Sequence, residues 1–361
     1  MRSSTSSFER LPRLPWMLLL GTALLALAAT IVTMETTLAI RGFRASVLDS
    51  ETRWLAERAR ARRLGRKALV LVGGSRMELD VDQDVLRRMT GLQPVQLALD
   101  GTPFYSVFKG VAEDPQITGT VLVDFGDNAL AFPDSGDAGS RYEYDAERAR
   151  HSVLPDFDDI ETRLGDLLHG NLRSYADGAS PGHSLLTRVL YPEATPQYLN
   201  NLPDRSTLAD YRQVSMPGFY YERVSINLGL GGKVPEGTNA QIEAYFRQLI
   251  GQIMPVDNQV YRKRSAEVAA LADAIQARGG RVIFAVFPET GYVRDIDDRR
   301  FPRRQFWDVF AAQSRSEDMN FRDVPGLAEF TCPDGSHLDY RDRERFTEAL
   351  VRALHLDRYP P

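Results

Sequence analysis

The sequence predicts an α/β protein: a parallel sheet flanked by helices in a flavodoxin-like three-layer arrangement, carried on one N-terminal transmembrane helix. Three observations predict it. Short apolar runs recur along the chain, several closed by glycine-containing turns. Amphipathic helical stretches alternate with them, the pattern of parallel strands covered on both faces. A single long uncharged run lies near the amino terminus.

Composition narrows the function classes. A formal charge of −5 with basic residues scattered among acids offers no footprint for a nucleic-acid partner. Cys332 is the single cysteine, so no intramolecular disulfide is possible, and with five scattered histidines there is no zinc-like spacing. No cofactor is implied.

Residues 1–15 read as a short polar cytoplasmic tail carrying Arg2, Arg10 and Arg13. Trp16–Thr33 then runs without a charge, and residues 16–34 read as a membrane anchor with Trp16 at the interface. A cleaved signal peptide with a small-residue site in Ala26–Thr30 is the competing reading. Arginines flank both ends (Arg41, Arg44 and Arg53 follow the run), so charge alone leaves the orientation tied. Residues 35–66, with the run ETRWLAERARARRLGR, read as a helical stalk whose arginines form a solvated face or touch lipid headgroups.

The α/β domain is expected over residues 67–361. Ala68–Val72 is a buried parallel strand, followed by Gly73 and Gly74, which allow a sharp turn, and by Ser75 at the strand's carboxyl end. Val85, Leu86, Met89 and Leu92 follow at helical spacing. Val95–Leu99 and Thr120–Phe125 are further strands, closed by Asp100-Gly101 and by Gly126-Asp127-Asn128. Ala266–Arg278 is a helix stopped by Gly279-Gly280, and Arg281–Phe287 is a fourth strand. Phe346, Ala349, Leu350, Ala353 and Leu354 mark a terminal helix. The weakly patterned stretch at about 131–257 reads as a mostly helical insertion. Within it Gly182-His183-Ser184 lacks a nucleophile elbow's second glycine, and Gly231-Gly232-Lys233 runs into Val234 rather than completing a phosphate loop. His151, His169 and His183 read as surface or packing residues.

The last motif is Asp334-Gly335-Ser336-His337. A carboxylate three residues before a histidine can fix the ring's tautomer and leave the other nitrogen as a general base. In the order Ser75, Gly101, Asn128, Asp334, His337, the chain resembles the SGNH (GDSL-like) hydrolase superfamily, in particular its membrane-anchored bacterial envelope members. The resemblance rests on Gly73-Gly74-Ser75-Arg76, Gly101, Gly126-Asp127-Asn128 and Asp334 to His337. It covers about 68–130 and 265–355, but not the insertion. It departs where Gly74 replaces the usual acidic residue and where Ala129, rather than Asp, follows Asn128.

The resemblance implies that Ser75 attacks an ester carbonyl while His337, oriented by Asp334, carries the proton. The N–H groups of Ser75 and Gly101 and the Asn128 side chain would form the oxyanion hole. It further implies a serine esterase or O-acyltransferase on the extracytoplasmic side of a bacterial inner membrane. Its substrate would be an acyl ester, acetyl foremost, of an envelope carbohydrate or glycolipid, with a membrane-bound O-acyltransferase as a partner. A non-catalytic glycan-binding or assembly protein on the same fold is the alternative, and a cytoplasm-facing lipid esterase a third reading.

Overall fold

A computed structural model describes residues 15–132, 138–150, 165, 167–191 and 193–358. The tail residues 1–14 and His151 lie outside the described residues. The strands are β1 (Ala68–Val72), β2 (Gln93–Gln96), β3 (Thr120–Asp124), β4 (Leu199–Asn201), β5 (Thr207–Ala209), β6 (Arg281–Val286) and β7 (Glu317–Asn320). Five of them form one parallel sheet in the order β2-β1-β3-β6-β7, while β4 and β5 pair as a separate antiparallel hairpin. Counted in chain order, the five sheet strands run 2-1-3-4-5. That doubly wound order has its switch point, where ligands collect, between the carboxyl ends of β1 and β3.

Alternation along β1 builds both layers of the core, because successive side chains of a strand point to opposite faces. Val70 and Val72 join Phe104, Phe108, Phe125, Phe284 and Phe310 on one face. Leu69 and Leu71 join Leu86, Ile283, Phe346 and Leu350 on the other. The terminal helix, Arg343–Ala353, supplies Phe346, Leu350 and Val351 to that second layer. Strand β7 escaped the sequence reading: it is four residues long, polar at its start, and paired on one side only.

The first helix, α1, spans Trp16–Ile40 and is long and apolar enough to cross a membrane. The stalk expected over 35–66 is a correction. Helix α1 continues to Ile40, and α2 (Glu51–Leu64) lies on the domain instead of standing apart. Trp54 and Ala61 are fully buried, and the Trp54 indole N–H donates to the Leu97 carbonyl at 3.0 Å. Nor do the arginines of this helix form one solvated face: Arg63 is exposed, but Arg53 and Arg58 are buried. Arg58 is buried and pairs with Asp114 at 2.9 Å and Glu143 at 3.1 Å, and Arg62 joins Asp114 at 2.5 Å. Trp54 and Ala61, with Leu55 and Leu64 partly buried beside them, dock α2, and the arginines between them mask the apolar stripe in the sequence.

The insertion is helix-rich but not helical throughout. After α3 (Ser75–Leu79), α4 (Gln83–Thr90), α5 (Tyr105–Glu113) and α6 (Asn128–Ala131), its described parts include α7 (Ala138–Arg150), the β4–β5 hairpin, α8 (Gly218–Asn227) and α9 (Asn239–Gly251). Arg205, at the hairpin turn, adopts φ +63° and is buried. Its guanidinium donates to the carbonyls of Gln96 at 2.7 Å and Ala98 at 3.3 Å and pairs with Asp49 at 2.7 Å. With Trp54 it covers the open edge left at β2, an edge that also tolerates Pro94.

Replacing Trp54 by Ala is expected to destabilise the folded chain by about 3–5 kcal/mol, read from the denaturant midpoint. A change below about 0.5 kcal/mol, as at an exposed position, would mean that α2 does not pack on the domain.

Candidate active site

Strand β1 ends at the switch point with two glycines that have no room for side chains. A Cβ on Gly73 would meet the Asp124 Cβ of β3 at 2.7 Å, and one on Gly74 would meet the Thr102 carbonyl at 3.2 Å. The strand can therefore end between the loops that follow β2 and β3, and Ser75 emerges half-buried as the first residue of α3 (Ser75–Leu79).

The Asp334–His337 loop comes to meet it. Gly335 takes φ +92°, and any Cβ there would collide with Val293, so this turn demands glycine. Thr290 pins the same loop: its N–H donates to the Gly335 carbonyl at 2.9 Å and its hydroxyl to the Cys332 carbonyl at 2.9 Å. Cys332 itself is buried, and burial pushes its thiol pKa well up, so it stays neutral.

Ser75 Oγ lies 2.7 Å from His337 Nε2, and His337 Nδ1 lies 2.8 Å from Asp334 Oδ2. The second carboxylate oxygen, Oδ1, accepts from the backbone N–H of Ser336 at 2.9 Å and of His337 at 2.8 Å. Burial works against the Asp334 charge, but the His337 ring and these two N–H groups outweigh it and lower its pKa to about 2. A carboxylate only accepts, so Nδ1 carries the ring proton and Nε2 is free to accept from the Ser75 hydroxyl. Burial likewise disfavours a charged His337. The Asp334 hydrogen bond and charge, with the Asp80 charge behind them, prevail and raise the imidazole above its ordinary value.

Two cavities meet at Ser75. One, of about 590 Å³, is lined by Gly74, Gly101, Thr102, Asp124, Gly126 and Asn128. The other, of about 370 Å³, holds Ser75, His337, Asp127, Asn128, Asp298 and Arg322 on its walls. Asn128 is exposed at the start of α6 (Asn128–Ala131), with its side-chain oxygen so close to Gly126 that a Cβ there would meet it at 2.7 Å. Gly101 sits in an exposed turn at φ +65°. All five residues read from the sequence thus gather at one sheet end: Ser75, His337 and Asp334 in hydrogen-bonded series, Gly101 and Asn128 on the walls beside Ser75.

Other residues of the site were given no role in the sequence reading. Asp80, fully buried at the end of α3, accepts the Leu338 N–H at 2.8 Å and so fixes the residue after His337. Burial pushes its carboxyl up to about 7. Arg76 pairs with Asp124 at 3.3 Å and with Glu289, joining the ends of β1, β3 and β6. From the insertion, Arg223 places Nε 3.7 Å from Asp334 Oδ2, and its guanidinium sits over the Phe219 ring at 5.3 Å. Tyr198 and Tyr211 pack edge to face beside it, and burial together with the Asp334 charge pushes the Tyr198 phenol up to about 12. Of the histidines set aside, His183 is exposed and His169 stacks on Tyr175.

The chain matches no protein-family model and no curated protein sequence. A polarised hydroxyl, a base with the correct tautomer and a neighbouring pocket with an amide side chain are the parts of nucleophilic acyl chemistry.

Selective ¹⁵N labelling of the five histidines allows His337 to be titrated by NMR. Its midpoint is expected above the ordinary value of 6.5. In Asp334→Asn the midpoint should fall, because burial remains and the main opposing charge is gone. An unchanged midpoint in that variant would show that Asp334 does not set the imidazole's charge.

Proposed function

We propose that the protein is a membrane-anchored serine esterase or O-acyltransferase of SGNH type. It would act on acyl esters, acetyl foremost, of an envelope carbohydrate or glycolipid. The observation that carries this reading is the unbroken hydrogen-bond series from Ser75 through His337 to buried Asp334 at the sheet's switch point. Ser75 Oγ attacks the ester carbonyl carbon as its proton passes to His337 Nε2. The carbonyl oxygen, now negative, would lie toward the N–H groups of Ser75 and Gly101 and the Asn128 amide. Collapse releases the alcohol, which takes the proton back from His337 and leaves the acyl group on Ser75. Water arriving next gives hydrolysis, and a sugar hydroxyl gives transfer; His337 takes the incoming proton in either case.

A hydroxyl-rich substrate is supported by the walls of the 370 Å³ cavity, where Asp127, Asn227, Asp298, Asn320 and Arg322 offer donors and acceptors around the Trp307 ring. In this reading α1 is an uncleaved single-pass anchor and the domain faces the extracytoplasmic side. A membrane-bound O-acyltransferase is a partner by resemblance alone. The competing binding function would use the same cleft without turnover.

The full chain in detergent is expected to form a fluorophosphonate adduct, seen by intact mass, and to hydrolyse p-nitrophenyl acetate. Ser75→Ala should lose both, and Asn128→Ala should lower kcat by about 10²–10³-fold while keeping the fold. No adduct on folded wild-type protein would transfer the assignment to glycan binding. A carboxyl-terminal alkaline phosphatase fusion should be active if the domain is extracytoplasmic; an inactive fusion places it in the cytoplasm.

A further inference from the structure

The helical segment Pro181–Val189 in the insertion is turned inside out. Its inward face sets polar side chains beside Val189. Ser184 is fully buried and donates to the Ser174 carbonyl at 2.7 Å, and Arg188 turns inward toward Asp177 at 3.6 Å. Its outward face carries leucines beside His183 and Thr187: Leu186 is 67% exposed and Leu190 63%, flanked by exposed Leu185 and Tyr191. Leu167 and Leu168, on the preceding helical turn, are exposed as well. A helix in water turns the other way, with its apolar face in and its charges out.

We propose that this leucine face lies in the interfacial layer of the same bilayer that α1 crosses, among the upper acyl chains. The proposal rests on the reading of α1 as a membrane span and goes beyond it. Its ground is continuity with that helix. Met34 and Leu38 of α1 pack against Val189 and Ala194. Glu35 accepts from the backbone N–H groups of Arg173 at 2.8 Å and Ser174 at 2.9 Å, and Arg41 reaches the carbonyls of Tyr191 and Ala194, each at 2.9 Å.

Depth follows from helix rise. The uncharged turns from Trp16 to Met34 span about 28 Å, close to the hydrocarbon thickness of about 30 Å. Met34 therefore marks the edge of the hydrocarbon, and Val189, which packs on the Met34–Leu38–Phe43 cluster while its carbonyl accepts from Arg41 at 3.3 Å, lies between that edge and the headgroup level, with Leu190 next in sequence. The active-site loop is tied to the same exit point, because Arg44 donates to the Tyr340 hydroxyl at 2.8 Å, three residues beyond His337. The domain then rests on the bilayer through a second foothold, which fixes the height of Ser75 above it.

The test places spin labels on the full chain in vesicles of phosphatidylcholine and phosphatidylglycerol, through Leu186→Cys and Leu190→Cys. Leu24→Cys reports the span, and Arg315→Cys, whose native side chain is 81% exposed, reports water. Native Cys332 is buried and stays unlabelled. Collisions with oxygen should rise, and those with a water-soluble nickel chelate fall, severalfold at 186 and 190 relative to 315, in the same sense as at 24. Lipid at 24 with water at 186 and 190 would overturn the foothold and leave the anchor standing. Water at 24 would overturn both.

Discussion

The burial of one carboxylate organises this molecule. Asp334 is completely shielded from solvent, and an unpaired charge in that position would cost several kcal/mol. Three donors offset that cost: the His337 ring, its backbone N–H and that of Ser336. To deliver them the loop must turn at Gly335 against Val293 and be held by Thr290. The result is an imidazole locked in tautomer and direction, with its free nitrogen aimed at the one hydroxyl that ends β1. The reactivity assigned to Ser75 depends on this chain of constraints more than on the serine itself.

The insertion takes part in the same arrangement. Through Arg223, Tyr198 and Tyr211 it closes the far side of Asp334, and the Tyr340 N–H donates to the Ala209 carbonyl on β5 at 2.9 Å. Through Arg205 it covers the sheet edge, and through Arg173 and Ser174 it grips the end of α1. One segment thus couples the acid–base loop, the sheet and the helix that leaves the domain. The described parts of this weakly patterned stretch are thus held by contacts with the domain, which local helix propensity alone would not supply.

Arg76 shows how charge is managed at the sheet end. It is the residue after Ser75, and it holds Asp124 and Glu289, carboxylates from two other strand ends. Asp124 fills the space that the absent side chain of Gly73 leaves open. The glycine pair, often read as mere flexibility, is here tied to close packing: Gly73 against β3 and Gly74 against the loop that follows β2.

Most strand cores, the glycine turns, the terminal helix and the D-x-x-H motif were legible in the sequence because each is set locally, by an apolar run, a missing Cβ or a helical repeat; the strand expected at Val95–Leu99 instead pairs at Gln93–Gln96. So was the uncharged run of α1. Other features were decided only in three dimensions. Strand β7 is polar and paired on one side, and it needs β6 to exist. Helix α2 shows arginines in sequence and hides Trp54 in space. Asp80, Arg223 and Tyr211 reach the site from separate segments at no fixed spacing. The sequence by itself determined which groups are available and where the chain must turn. Only the tertiary structure decided which charges are buried together, because desolvation and pairing depend on neighbours far apart along the chain.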